Sequence, residues 1–266
     1  MKVLVVLQKE WLELRRDVRV LAGTLLPSLL FTVLPVVMAY FLGRQAGPGP
    51  GGAGDREARI LPAGDALFAG LSSQEASQVV IGLQFSTFLI LLPIVVPSVI
   101  ASYSIVGEKS NRTLEPLLAT PVRTWELLLG KMLAAVVPAV AITWLAAVLF
   151  VAGMGAVAIS RRVLTAIVTP SWLLLLLLGV PLLALIVVAA MVAISSRVSD
   201  PRTAQQISGF LVIPVVLFFI GQITGLVVLR PVLVLALILG LAVVAVLAVW
   251  GASRLFQREV ILTRWR

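Results

Sequence analysis

Chemistry in this chain has to be done with carboxylates, amines and hydroxyls, because its 266 residues include no cysteine and no histidine. That excludes disulfides, thiolate metal sites, Cys–His and Ser–His nucleophilic pairs and imidazole proton relays together. The 12 acidic residues fall in polar segments or at the ends of apolar runs. No carboxylate pair is therefore set inside an apolar run for general acid–base work. Gly130-Lys131 lacks the upstream glycine and the following hydroxyl of a phosphate-binding loop. No catalytic residue and no metal site is expected. The densest polar stretch is Gly107 to Lys131, GEKSNRTLEPLLATPVRTWELLLGK, with seven charges and two prolines between two apolar runs.

Those runs set the fold class. The chain is 60% hydrophobic and 12% charged, about half the charged fraction of a soluble domain. Cutting at every Asp, Glu, Lys and Arg leaves six runs, at roughly 20–43, 79–106, 132–158, 170–196, 206–229 and 231–253. Each reaches the roughly 20 residues a helix needs to cross about 30 Å of hydrocarbon. Runs this continuous lack the alternation of a barrel. The expectation is an all-α polytopic protein, a single transmembrane domain over 1–266 with six membrane helices. Placing both termini in the cytoplasm puts 15 Lys and Arg on inside segments and six on outside ones, the bias that sets orientation. The net charge of +9 is thus a topology signal, since the basic residues hug span ends, and a nucleic-acid partner is not expected. The first apolar run has spanning length and a long charged flank, unlike a cleaved signal.

Within residues 1–19, Leu4, Leu7, Trp11, Leu14 and Val18 recur on one helical face, with Lys9, Glu13 and Arg16 away from it. Such a helix would rest in the headgroup layer with Trp11 at the interface. GPGPGGAG reads as a linker on the outer side, and residues 66–78 as a short polar helix entering the second span. Thr169-Pro170 and Asp200-Pro201 mark starts of the fourth and fifth spans, each a capping side chain followed by proline at the first helical position; Thr120-Pro121 does the same before the third. Pro27, Pro35, Pro93, Pro97, Pro138, Pro181 and Pro214 fall inside spans and predict kinks whose freed carbonyls need partners. Gly221-Gln-Ile-Thr-Gly225 is a short match to a small-xxx-small helix contact.

In the polar stretch, Thr113 can cap one to two turns of helix with Pro116 in its first turn, where N–H groups have no intrahelical acceptor. Glu115 suits the positive end of the helix dipole, and Thr120 before Pro121 ends the piece. Helices this short are unstable alone in water, so Leu117 and Leu118 need cover. They either lie back on the membrane or dock as a plug into a partner. The interior polar residues are neutral: Gln84, Ser86, Thr87, Ser98, Ser102, Ser104, Thr143, Gln222 and Thr224. Gradient-driven carriers usually bury a titratable group at membrane depth, which disfavours a secondary transporter; a membrane scaffold would not need the shaped plug.

Gly107-Glu108-Lys109, followed by Arg112-Thr113-Leu114-Glu115-Pro116-Leu117-Leu118-Ala119-Thr120-Pro121-Val122, closely resembles the segment between spans two and three of ABC-2 type exporter permeases. Ser195 to Gln206 before span five and the tail Leu255 to Trp265 are similar to the same family. The resemblance implies a permease in which two membrane subunits, identical or not, pair and each engages a cytoplasmic ATPase that binds ATP and Mg. It places the coupling helix on Glu108, Arg112, Thr113, Leu114, Glu115, Leu117, Leu118 and Thr120, and an elbow helix on the N-terminal stripe. It further implies the inner cell membrane and leaves the cargo open among ions, drugs, lipids and peptides. The pathway would run at the subunit interface along spans two and five, with Gln84, Ser86, Thr87, Gln222 and Thr224 as candidate lining. Many relatives carry re-entrant outer helices between spans five and six; here only the neighbourhood of Arg230-Pro231 separates them.

Overall fold

The computed structural model describes residues 2–45, 70–106, 124–195, 198, 200–223 and 231–255. All the regular structure among them is helical. An N-terminal helix, α1 (Lys2–Arg16), precedes six helices long and apolar enough to cross a membrane: Val18–Phe41, Ser73–Ser104, Leu128–Val157, Pro170–Ser195, Pro201–Gly221 and Pro231–Arg254. These are spans one to six. A short helix, Arg161–Ile167, lies between spans three and four. Glu108 to Thr120, the Thr120-Pro121 start, the linker, Thr224, Gly225 and the tail from Phe256 lie outside the described residues.

Local chemistry explains where helices begin. Thr169 accepts a hydrogen bond from the Trp172 amide at 3.2 Å, with Pro170 opening the helix behind it. Asp200 accepts from the Thr203 amide and from the Thr203 hydroxyl, both at 2.9 Å, ahead of Pro201. Span five accordingly starts at Pro201, earlier than its charge-free run. Span two opens with a reciprocal cap: Ser72 Oγ accepts from the Glu75 amide and the Glu75 carboxylate accepts from the Ser72 amide. No separate polar helix precedes it among the described residues, because this cap starts one helix that runs straight into the span.

The Asp200 cap carries a pH dependence. The Thr203 amide, then the Thr203 hydroxyl, hold its carboxyl below the usual 3.8. A depressed folded-state value gives stability that is present above 3.8 and lost as pH falls through the lower folded value. Amide exchange across the first turn of span five should speed up only below pH 3.8, and Asp200→Asn should keep the cap while abolishing that pH step. Exchange that accelerates equally in both proteins would dismiss the carboxylate as its cause.

Irregular turns accompany Pro93, Pro181 and Pro214, whereas Pro27, Pro35, Pro97 and Pro138 lie inside continuous α-helix, and one freed carbonyl has an identifiable partner. In span two a 3-10 turn, Leu89–Leu91, precedes Pro93, and a π turn closes the helix at Ser102–Val106. In span four the π turn Leu175–Gly179 pairs the Val180 amide with the Leu175 carbonyl. The next donor in that register would be residue 181, which is proline and has no N–H. The indole N–H of Trp144 from span three donates to the orphaned Leu176 carbonyl instead, at 2.9 Å. Trp144→Phe should cost about 0.6 kcal/mol, the average for such bonds inside membrane bundles. In a Pro181→Ala background, which restores the N–H, that loss should shrink toward zero; an undiminished loss in thermal unfolding would exclude this partnership.

Span two is the most enclosed of the six, and spans five and six are the least. It packs on spans one, three and four, and span four in turn contacts span six. The face of span one turned inward carries Thr24, Ser28 and Thr32, all buried. Each donates to the carbonyl one turn back, at 2.9, 2.7 and 2.7 Å. Hydroxyls satisfied within their own helix let neighbours approach without stranding a polar group. Span three answers with small residues: Ala146 and Ala147 are buried, and a Cβ on Gly153 would sit 2.6 Å from Val36. Gly82 has even less room, since a Cβ there would meet Ile167 of the short helix at 2.2 Å.

Candidate functional site

At the end of the bundle that carries α1, three elements distant in sequence meet through buried polar groups. Lys131, near the start of span three, places its ammonium 2.8 Å from Glu10 Oε1 on α1. The same ammonium donates to the Ser104 carbonyl at 3.3 Å. Ser104, at the end of span two, donates its hydroxyl to the other Glu10 oxygen at 2.6 Å. Glu10 is 2% exposed and Lys131 1%, so the pair is withdrawn from both water and lipid. A carboxylate and an ammonium this enclosed must be paired and hydrogen-bonded to remain charged. Here both oxygens and the ammonium have partners, and the cluster is neutral overall.

This corrects the expectation of a charge-free interior. Glu10 and Lys131 read as flanking charges because each borders an apolar run. Helical register buries them. Glu10 lies one turn from Leu7 and Leu14, beside the stripe, and Lys131 shares the face of Leu128, Met132 and Ala135, all three buried. The charges sit at the end of the bundle and neutralise one another, unlike an isolated titratable group at membrane depth.

The N-terminal stripe is shorter than its spacing suggested. Helix α1 ends at Arg16 and packs against span three. Asp17 interrupts the helix and accepts from the Arg19 amide at 2.8 Å, so Val18 belongs to span one, where it is 75% exposed. Leu7, Trp11 and Leu14 are half-buried, and Leu14 packs on the main apolar core. The Trp11 indole N–H is enclosed without an acceptor among the described residues. Leu4 lies within α1.

Of the candidate pathway residues, three have described side chains. Gln84 is exposed, whereas Ser86 and Thr87 are buried. Both hydroxyls donate to the Leu83 carbonyl, and the Ser86 carbonyl accepts from the Trp172 indole of span four at 3.2 Å. Gln222 falls in the last turn of span five's helix. Spans two and five do meet, through aromatic rings: Phe88 lies 4.7 Å from Phe219 and 5.9 Å from Phe31 of span one.

At the opposite end Gln78, 2% exposed, ties three segments together. Its amide donates to the Ala39 and Val157 carbonyls at 3.2 Å each, and its carbonyl accepts from the Ile159 amide at 3.1 Å. Span two is thus pinned to spans one and three at that end and to α1 and span three at the other. Sequence reading singled out neither pin.

Six apolar helices, the first three of them tied together by buried polar groups, define a multi-pass helical membrane protein. Residues 4–250 match the family described as ABC-2 family transporter protein. The chain belongs to that family, and is the membrane permease of an ATP-binding-cassette exporter. Permeases of this family typically leave ATP hydrolysis to a separate subunit. No curated protein matches the chain.

Proposed function

We propose that this chain is one of a pair of membrane subunits, each driven by a cytoplasmic ATPase that docks on the segment between spans two and three. The observation that carries this reading is the family match, which runs in one stretch from within α1 to within span six. The ATPase holds ATP and Mg; this chain supplies the passage and performs no covalent chemistry. Glu108, Arg112, Thr113, Leu114, Glu115, Leu117, Leu118 and Thr120 form the coupling surface, and α1 serves as the elbow helix beside it. Both termini face the cytoplasm of a cell whose inner membrane holds the complex. The weakly enclosed spans five and six leave apolar surface for lipid and for the second permease subunit. Cargo then moves along spans two and five at that interface, and its neutral lining suits hydrophobic or amphipathic molecules. The test is affinity purification of the tagged chain from its native membranes in mild detergent. An ATP-binding-cassette subunit should co-purify in a two-to-two assembly, and a chain that purifies alone at full transport activity would refute the reading.

A further inference from the structure

The Glu10–Lys131–Ser104 cluster brackets the candidate coupling segment. Ser104 stands just before it on span two, Lys131 just after it on span three, and both are bonded to the same carboxylate, which belongs to neither helix. An apolar trio of the same volume would fill this space at no cost in stability, because desolvation offsets most of what a buried ion pair gains. What a buried, saturated polar cluster adds is a single allowed register. Glu10 can satisfy both oxygens only when α1, span two and span three stand in one relative position, and a slip of one residue strands a charge.

We propose that Glu10, Ser104 and Lys131 are positioning residues that lock α1, the end of span two and the start of span three into one rigid body. A displacement delivered to the segment between Ser104 and Lys131 then turns all three elements together instead of bending either connection. The 3-10 break at Leu89–Leu91 and Pro93 places the yielding point of span two further along the helix, beyond the locked end. The part of this proposal that concerns force transfer rests on the ATPase-coupling reading; the lock itself does not.

The chain has no cysteine, so Gln8→Cys on α1 and Leu129→Cys on span three, both at exposed positions, accept spin labels without background. In the full chain held in lipid nanodiscs, the label separation should be a single narrow distribution. It should stay unchanged in the complex with the ATPase subunit trapped by ATP and vanadate. The Glu10→Gln/Lys131→Met variant removes both charges, strands neither and is expected to fold; its distribution should at least double in width. A narrow distribution in that variant, or a parent separation that shifts on trapping, overturns the lock. Failure of any ATPase to co-purify defeats the coupling reading instead, and leaves the nanodisc comparison to decide the lock alone.

Discussion

Replacing Leu117 and Leu118 together with aspartate should abolish co-purification with the ATPase subunit while leaving membrane insertion intact. A helix of the length proposed for Thr113 to Thr120 would be too short to persist free in water, so in the proposed plug the two leucines need cover. If a groove on the ATPase covers them, two carboxylates entering that groove would be desolvated without partners, a cost of several kcal/mol. A contact of this size cannot absorb that, and the complex should dissociate. If membrane lipid covers them, the aspartates rise to the water layer and the complex survives. The pair of outcomes separates the docked plug from the membrane-resting turn, the two readings that residue chemistry alone left open. Leu117→Ala/Leu118→Ala should weaken the complex without destroying it, because truncation removes apolar contact but buries no charge.

The second large effect concerns stability. Lys131→Met leaves Glu10 enclosed with its Ser104 bond and only the half-exposed Lys9 ammonium 3.9 Å away, and breaking a buried pair from one side costs about 3–5 kcal/mol. Adding Glu10→Gln to that variant removes the stranded charge and should recover most of the loss. The comparison is read from unfolding midpoints of the three proteins in one detergent. A single variant as stable as the parent would show that the ammonium is not needed where it sits. A double variant no better than the single would assign the loss to packing of the lysine stem. The exposed Lys9–Glu13 pair, one turn apart on α1 at 3.4 Å, offers a control when cut at Glu13, since Lys9 also stands 3.9 Å from Glu10; Glu13→Gln should matter little, because surface pairs contribute about 0–1 kcal/mol.

The membrane architecture was legible because lipid imposes a coarse and continuous rule. Every charge-free run of spanning length became a span, and the Thr169 and Asp200 caps formed as their side chains dictate. Of the seven interior prolines, Pro93, Pro181 and Pro214 coincide with irregular turns, but their positions did not name the donors that repair them. Trp144 answers Pro181 from another helix, and nothing in the spacing of either residue joins them. The same limit hid Gln78, whose partners lie 39, 79 and 81 positions away. At the edge of the second apolar run it reads as an ordinary polar flank.

Glu10 and Lys131 were hidden differently. A charge beside an apolar run carries orientation information, and counting it for topology assigns it to the surface. The corrective signal was local: Lys131 continues the i, i+3, i+4 face of Leu128, Met132 and Ala135. Extending the helical face past the last apolar residue would have turned it inward. Thr24, Ser28 and Thr32 were likewise readable as a four-residue repeat along one face of span one, but hydroxyls bonded to their own helix carry little hydropathy signal. The proposed coupling residues stand on motif resemblance alone, and the aspartate substitutions at Leu117 and Leu118 address them directly.

Uphill transport assigns the energy source without intermediaries. Proteoliposomes holding the chain alone, or the chain with its ATPase subunit, would be assayed with a panel of labelled ions and amphiphiles. Concentrative movement of at least one of these should occur only with the ATPase and ATP present, and should vanish with a hydrolysis-deficient ATPase. Accumulation by the chain alone, driven by an imposed proton or sodium gradient, would contradict the account.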